Sequence, residues 1–296
     1  MVINQKSKKT NSKVLIMSTK VLLIGGFGIA GSFFSKYVSF DKRIKIYSFK
    51  KKDLDLTKKK SLKRKLKEIN IDVIINFSGL TNVDLCQQKP VTARKLNALN
   101  IYEIIQCLRL DQYLIQISTD QVYPGIKGPY YENQIEPINI YGRTKLEGEK
   151  ISLKKFNSVV LRTNFFGNSL IKRKSLSDFF INALKYNKKI NIFSDIFFSP
   201  LHLSSLSEII CNIIKKKRLR GTYNLGSRNG MSKAEFALKI ANHLNLSTKN
   251  LNVITSDKLL NRAKRPKDVR MNVNKFSNDY NKLLPDLNEE IKKISW

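Results

Sequence analysis

The side chains best suited to chemistry in this chain of 296 residues are Tyr141 and Lys145, which lie four positions apart. In an α-helix that spacing places both on one face, about one turn apart. There the ammonium group can favour the phenolate, and the phenol can pass a proton to or from a substrate oxygen. Combined with a glycine-rich nucleotide loop upstream, the pair indicates hydride transfer to a carbonyl or from an alcohol.

Two polar residues precede this pair at the end of the apolar run Leu114–Ile117, which has the pattern of a buried strand. Thr119 can hydrogen-bond the reacting oxygen, and Asp120 can act as an acid or as an orienting group. A Ser-Thr-Asp string is also typical of a turn or a helix cap. The distance along the chain to Tyr141 and Lys145 favours a Thr–Tyr–Lys set at one edge of a sheet.

The glycine loop follows the first apolar run, Val21–Ile24. Gly25 would permit a tight turn, Gly28 would let backbone amides approach a pyrophosphate, and Gly31 would allow close packing of helix and sheet. The pyrophosphate would lie at a helix N-terminus, whose partial positive charge suits an anion. This interpretation also makes Phe27 and Ile29, which flank Gly28, candidate cofactor contacts.

The residues after the second strand, Ile44–Tyr47, bear on the choice of cofactor. An NAD-preferring site usually places an acid there, whereas this chain continues with Ser48, Phe49 and three lysines from Lys50 onward. These lysines could neutralise a 2′-phosphate, so we expect NADPH, with NADH as an alternative. Asp55, followed by Leu56, is a candidate for binding the adenine amino group.

Other candidates follow the third strand and lie near the C-terminus. Asn76, Ser78 and Gly79 end the third strand at the carboxyl edge, where cofactors bind in open sheets. Arg265, beside Pro266, could clamp a diphosphate, and a basic surface turn explains it equally well. No cluster of His, Cys, Asp and Glu has the spacing of a metal site.

Strands and helices alternate along most of the chain, so the elements predict an α/β fold with a doubly wound parallel (Rossmann) sheet. We expect a disordered basic extension over residues 1–18 and an NAD(P)-binding core over 19–163. Residues 164–296 would form mainly a smaller substrate-binding lobe that can return segments to the core. The expected strands are Val21–Ile24, Ile44–Tyr47, Val73–Ile75, Leu114–Ile117 and Val159–Leu161, and the expected helices are Ile29–Val38, Leu62–Ile69, Val91–Leu108, Tyr141–Lys154, 175–187, 204–217 and 232–244.

The net charge of +32 is the most unusual feature of the composition. It could attract nucleic acid or anionic membranes. No aromatic residues interleave the basic runs, so we interpret the lysines as a compositional bias and expect no specific nucleic-acid partner. No apolar run is long enough to span a membrane. Three widely spaced cysteines favour reduced thiols and a cytoplasmic location.

Taken together, these motifs resemble the extended short-chain dehydrogenase/reductase family, and within it the dTDP-4-dehydrorhamnose reductases. The resemblance covers nearly the whole chain, from about residue 20 to 280. The segments that carry it are Gly25–Gly31, Asp55–Thr57, Asp72–Asn76, Thr81–Asp84, Asn97, Ser118–Tyr123, Tyr141–Lys145, Leu161–Thr163, Gly221–Gly226 and Arg265–Arg270.

The resemblance implies a role for each catalytic candidate. Tyr141 would donate a proton to the C4 oxygen, Lys145 would lower the pKa of Tyr141 and bind the nicotinamide ribose, and Thr119 would position the carbonyl. The reaction implied is NAD(P)H-dependent reduction of a nucleoside-diphosphate 4-keto-6-deoxyhexose, for surface polysaccharide precursors. The resemblance also makes Asn97 a cofactor contact and Thr81 and Val83 substrate contacts, and it allows a homodimer.

Two departures from the family pattern fall where the sugar would bind. Asn164 and Phe165 replace the usual Ser-Trp, and Leu201 follows Pro200 where the family has threonine. Asn164 and Phe165 are therefore substrate-binding candidates, and the sugar stays open. Gln121 follows Asp120 where 4,6-dehydratases have glutamate, which argues against a dehydratase. A 4-epimerase, a non-catalytic regulatory subunit and a nucleic-acid-binding protein remain alternatives.

Overall fold

The computed structural model describes residues 18–50, 53–54, 59–216, 219–258 and 262–295. The strands in these residues are β1 (Thr19–Ile24), β2 (Ile44–Ser48), β3 (Val73–Asn76), β4 (Tyr113–Thr119), β5 (Ser158–Thr163), β6 (Phe165–Phe166), β7 (Ile190–Phe193), β8 (Phe197–Phe198), β9 (Leu201–His202), β10 (Gly221–Leu225), β11 (Met231–Ser232) and β12 (Leu251–Ile254). The expected basic extension lies outside the described residues, apart from Ser18.

The described helices overlap each of the expected helical regions and add several short ones. They are α1 (Ile29–Val38), α2 (Lys59–Ile69), α3 (Val83–Gln88), α4 (Pro90–Arg94), α5 (Asn100–Ile105), α6 (Ile140–Ser152), α7 (Leu176–Lys185), α8 (Leu203–Lys216), α9 (Lys233–His243), α10 (Asn274–Tyr280) and α11 (Leu287–Ile291). A π-helical turn, Lys95–Leu99, joins α4 to α5. The single helix expected over Val91–Leu108 is therefore interrupted, and it ends at Ile105.

Six strands form one fully parallel sheet in the order β10-β5-β4-β3-β1-β2. The five strands expected from sequence are all present in it. The sixth, β10, comes from far along the chain and pairs with β5 from Gly221↔Val159 to Leu225↔Thr163. The prediction of an α/β fold with a doubly wound parallel sheet is confirmed.

The two faces of the sheet are buried by different helices. In β1, Val21 and Leu23 join a core cluster that also contains residues of α1 and α8. The alternate residues Leu22 and Ile24 join a second cluster with residues of α2 and α5. Because successive strand side chains point to opposite faces, a strand covered on both sides must be apolar throughout. This explains why the strands read as continuous apolar runs.

A separate apolar cluster holds together the segments that follow β5. It is built around Phe236, whose ring contacts the rings of Phe166 and Phe198 edge to face. Helices α7 and α9 pack together in this region, and short strand pairs connect it. None of the helices in the described part of the chain is long and apolar enough to cross a lipid bilayer.

Candidate functional site

The turn between β1 and α1 is as tight as the glycine spacing predicts. Gly25 has φ +78°, and a Cβ there would lie 2.7 Å from the backbone nitrogen of Ser78. A Cβ on Gly31 would lie 2.5 Å from the carbonyl oxygen of Gly25. Gly28 is the N-cap of α1 and has no side chain to cap it, so the first amides of the helix can face a ligand. The loop thus fits a dinucleotide.

Phe27 and Ile29 flank Gly28 in the loop, and their contact with a cofactor stays a prediction. Phe27 is 54% exposed beside Gly28, and Ile29 is the first residue of α1. Lys50 follows β2 and is exposed, so it is accessible to a phosphate group. Asp55 and Leu56 lie outside the described residues.

The carboxyl end of β3 packs against the glycine loop. Asn76 is buried, its Oδ1 accepts hydrogen bonds from the backbone N–H and the hydroxyl of Ser78, and its Nδ2 donates to Gln116. These contacts fix the backbone at Ser78 and Gly79. The structure thus shows how Asn76 shapes the edge of the site, and direct contact with a cofactor stays a prediction.

Asn97, on the π-helical turn, ties three parts of the site together. Its Oδ1 accepts from the backbone nitrogen of Leu80 at 2.7 Å, and its Nδ2 donates to Thr144 Oγ1 at 3.0 Å. A Cβ on Gly79 would lie 2.8 Å from that same Oδ1. Asn97 therefore positions the loop after β3 against α6. The π turn places it there, and such turns often occur at functional sites.

Thr119, Tyr141 and Lys145 come together at the carboxyl edge of the sheet. Thr119 ends β4, and its hydroxyl is close enough to the phenol of Tyr141 to influence the pKa of that phenol. Tyr141 and Lys145 are buried on one face of α6, as their spacing predicts. Lys145 Nζ donates to the carbonyl oxygen of Ile117 at 2.7 Å, just before Thr119 on the same strand.

The pKa of Tyr141 is raised in this structure. Burial is the main cause, the nearby hydroxyl of Thr119 opposes the rise, and the charge of Asp120 adds to it. Lys145 Nζ donates to the carbonyl oxygen of Ile117, and the lowering of the Tyr141 pKa expected of Lys145 stays a prediction. Burial also lowers the pKa of Lys145 to about 8. In this structure the phenol is therefore held protonated, which is the form a proton donor requires.

Asp120 is buried directly beside the catalytic set. Its Oδ1 accepts from Thr119 Oγ1 at 3.2 Å, and its Oδ2 accepts from Asn164 Nδ2 at 2.7 Å. Burial raises the pKa of this carboxyl, while Asn164, Thr119 and the positive charge of Lys233 oppose the rise. Asn164, the first departure from the family pattern, is thus coupled to the reacting centre through Asp120.

The other departures adjoin Asn164. Phe165 begins β6 and pairs with Leu201 of β9, and the backbone nitrogen of Leu201 donates to the carbonyl of Asn164. Phe165 is partly buried against the main core. His202, beside Leu201, is buried against the rings of Phe33 and Phe166 and bonds Ser204, so it is a packed histidine.

The remaining substrate candidates are Val83, Thr81 and Arg265, and each contacts other parts of the protein. Val83, the first residue of α3, packs with an apolar cluster that includes Tyr141. Thr81 accepts a hydrogen bond from Arg173 at 2.7 Å. Arg265 forms a bidentate ion pair with Asp84, with distances of 3.1 and 2.7 Å, so part of its charge is offset by protein.

Three residues that shape the site were missed from the sequence. Glu149 and Arg162 form an ion pair beneath α6 in which the side chains are 2% and 3% exposed. Glu149 lies four residues after Lys145 on the same helix face, and this spacing could have predicted that Glu149 lies near the site. Arg173 reaches the cleft from an irregular segment, so no periodic pattern could have identified it.

Comparison with known proteins identifies the family. A family model described as the RmlD substrate binding domain matches residues 19–296. The chain belongs to this RmlD family. A dTDP-4-dehydrorhamnose reductase of Escherichia coli is 25% identical over 259 residues, which are 81% of this chain and 84% of that protein. The beta subunit of methionine adenosyltransferase 2 from Rattus norvegicus is 24% identical over 279 residues, which are 89% and 83% of the two chains.

Solved structures show how widely the RmlD architecture is shared. A dTDP-4-dehydrorhamnose reductase from Bacillus anthracis in complex with NADP superposes with a TM-score of 0.86 and 26% identity, over 94% of this chain and 99% of that one. A dTDP-glucose 4,6-dehydratase from the same organism, in complex with NAD, gives 0.76 with 18% identity, over 93% and 95%. The second likeness reflects the fold alone.

Proposed function

We propose that this RmlD family member uses NADPH to reduce the C4 keto group of a dTDP-linked 4-keto-6-deoxyhexose. The observation that carries the proposal is the buried set of Thr119, Tyr141 and Lys145, at the sheet edge that adjoins the glycine loop. Similarity to dTDP-4-dehydrorhamnose reductases, including one that binds NADP, supports the substrate and the cofactor.

The arrangement can supply a proton to a carbonyl oxygen. NADPH bound at the glycine loop would provide the hydride. Tyr141 is neutral at physiological pH because burial raises its pKa, so its hydroxyl can donate to the oxygen as negative charge develops there. The hydroxyl of Thr119 donates to Asp120 in this structure, and by rotating it could donate to the same substrate oxygen. Lys145 supplies a positive charge on the adjoining turn of α6.

The test is loss of NADPH absorbance with enzymatically generated dTDP-4-keto-6-deoxy sugars. Tyr141→Phe should lower kcat by about 100-fold or more, the scale of losing a general acid, with NADPH binding retained. Tyr186→Phe, at the exposed C-terminus of α7, is the matched control and should leave kcat unchanged. Equal activity of wild type and Tyr141→Phe would refute the mechanism.

Similarity to the rat methionine adenosyltransferase subunit favours one alternative, a non-catalytic regulatory subunit on the same fold. That alternative predicts NADPH binding without oxidation for every sugar in the panel. A 4-epimerase is the other alternative, and it would interconvert nucleotide sugars without net consumption of NADPH. Product analysis in the same assay separates the three.

The cellular setting is also a proposal. We propose a cytoplasmic enzyme, because NADPH and nucleotide sugars are made there and the three cysteines are buried without forming a disulfide. A homodimer is proposed because Val91, Leu99 and Tyr102 expose apolar surface along the α4–α5 segment. Sedimentation equilibrium gives the mass in solution and tests the second point.

A further inference from the structure

Arg173 links two segments of the chain close to Tyr141. It belongs to the segment between β6 and α7, on the side of the molecule built after β5. Its Nη2 donates a hydrogen bond of 2.7 Å to the hydroxyl of Thr81, which lies between β3 and α3 at the carboxyl edge of the main sheet. One side chain therefore joins the segment before α7 to the loop after β3, next to Tyr141.

The segment that carries Arg173 is held by its own side chains. The hydroxyl of Ser169 donates to the carbonyl of Arg173 at 2.6 Å, and the backbone nitrogen of Ser169 donates to Asp178. Ser175 and Asp178 form a capping box that begins α7 immediately afterwards. These contacts fix the backbone on both sides of Arg173 and direct its guanidinium group toward the cleft.

The charge of Arg173 is not offset as that of Arg265 is. Arg265 is paired with both oxygens of Asp84. The hydrogen bond recorded for the Arg173 guanidinium goes to a neutral hydroxyl, and no carboxylate among the described residues forms an ion pair with it. Arg173 is also near enough to lower the pKa of Tyr141 by its charge, which opposes the effect of burial.

We propose that Arg173 binds the diphosphate of the substrate. This inference rests on the proposed function for the class of substrate, a nucleoside-diphosphate sugar. When the C4 oxygen lies at Thr119 and Tyr141, the opposite end of the hexose carries the diphosphate toward the cleft mouth, where Arg173 is exposed. A guanidinium group can donate two parallel hydrogen bonds to phosphate oxygens. The phosphate would replace the hydroxyl of Thr81 as its partner.

The test measures binding of dTDP and of thymidine by calorimetry, with NADPH saturating. Arg173→Gln should lower the affinity for dTDP roughly 10- to 100-fold, the range expected for lost hydrogen bonds between charged groups. The affinity for thymidine should stay unchanged. Lys174→Gln removes the same charge from the next residue, which is also exposed, and should change neither affinity. Arg173→Lys should retain only part of the dTDP affinity, because lysine lacks the fork.

The outcomes separate this inference from the proposed function. If Arg173→Gln lowers the affinity for NADPH as much as the affinity for dTDP, the residue binds the cofactor and the inference is wrong. Equal losses in Arg173→Gln and Lys174→Gln would mean general charge attraction, and they also overturn it. So does a wild-type protein that binds none of dTDP, UDP and GDP. If no sugar is reduced but binding of a nucleoside diphosphate depends on Arg173, the inference stands and the proposed reaction fails.

Discussion

Removing one partner of the buried Glu149–Arg162 pair should destabilise the protein severely. Glu149 Oε2 accepts from Arg162 Nη2 at 2.7 Å, and Arg162 Nε donates to both carboxylate oxygens at 3.1 and 3.2 Å. Ser118 also donates to Glu149, and Arg162 Nη1 donates to the carbonyl of Glu132 at 2.6 Å. The pair thus joins α6 to β4 and β5 in the interior.

The expected magnitude follows from this burial. Glu149→Gln leaves the guanidinium group with no carboxylate partner at 3% exposure, and such a loss costs about 3–5 kcal/mol of unfolding free energy. Arg162→Met leaves the carboxylate in the same position and should cost a similar amount. The double variant Glu149→Gln/Arg162→Met removes both charges and should cost much less than the sum of the single variants.

Urea unfolding, followed by far-UV circular dichroism, measures these differences in the free energy of unfolding. Glu147→Gln is the control on the same helix, because Glu147 pairs with Arg94 at a surface where the side chains are 33% and 57% exposed. That change should cost under about 1 kcal/mol. A loss for Glu149→Gln no larger than for Glu147→Gln, or additive single and double variants, would refute the reasoning.

Two further predictions concern pH and the cofactor. Burial, helped by the charge of Lys293, lowers the pKa of His202 from 6.5 to about 4. The folded protein therefore keeps this imidazole neutral, and its free energy of unfolding should be constant above pH 6.5 and fall as the pH falls toward 4. Relative to His202→Gln, wild type should lose roughly 2–3 kcal/mol over that interval in urea titrations, and parallel curves would contradict this. Replacing Lys50, Lys51 and Lys52 by alanine should lower the affinity for NADPH more than the affinity for NADH in binding titrations. Equal weakening would mean general charge attraction only.

Local pattern determined the elements that carry the site. Helix α1 begins and ends at the residues expected, because a glycine turn precedes an apolar face of helical period. Helix α6 begins one residue earlier than expected, since the side chain of Asn139 accepts a hydrogen bond from the backbone of Gly142 and caps it there. The juxtaposition of Thr119 with Tyr141 followed from strand ends meeting at one edge of a parallel sheet.

What the sequence could not reveal depends on long-range contacts. Arg265 was considered as a diphosphate clamp, and its partner Asp84 lies 181 positions away. Burial is the main cause that raises the pKa of Tyr141, and the sequence of one helix cannot show how deeply that helix is buried. The π turn at Asn97 adds a residue to one helical turn, and the spacing of apolar residues in the sequence does not predict this extra residue.

The late strand β10 has a consequence for synthesis of the protein on the ribosome. Until Gly221–Leu225 has emerged, β5 has an unpaired edge, and until α8 has emerged one face of the sheet lacks its cover. Exposed strand edges and apolar faces invite association with other chains. The nascent chain therefore carries the completed Tyr141 helix for some 70 residues of elongation before its sheet can close, which makes this interval the stage at which chaperones would matter most.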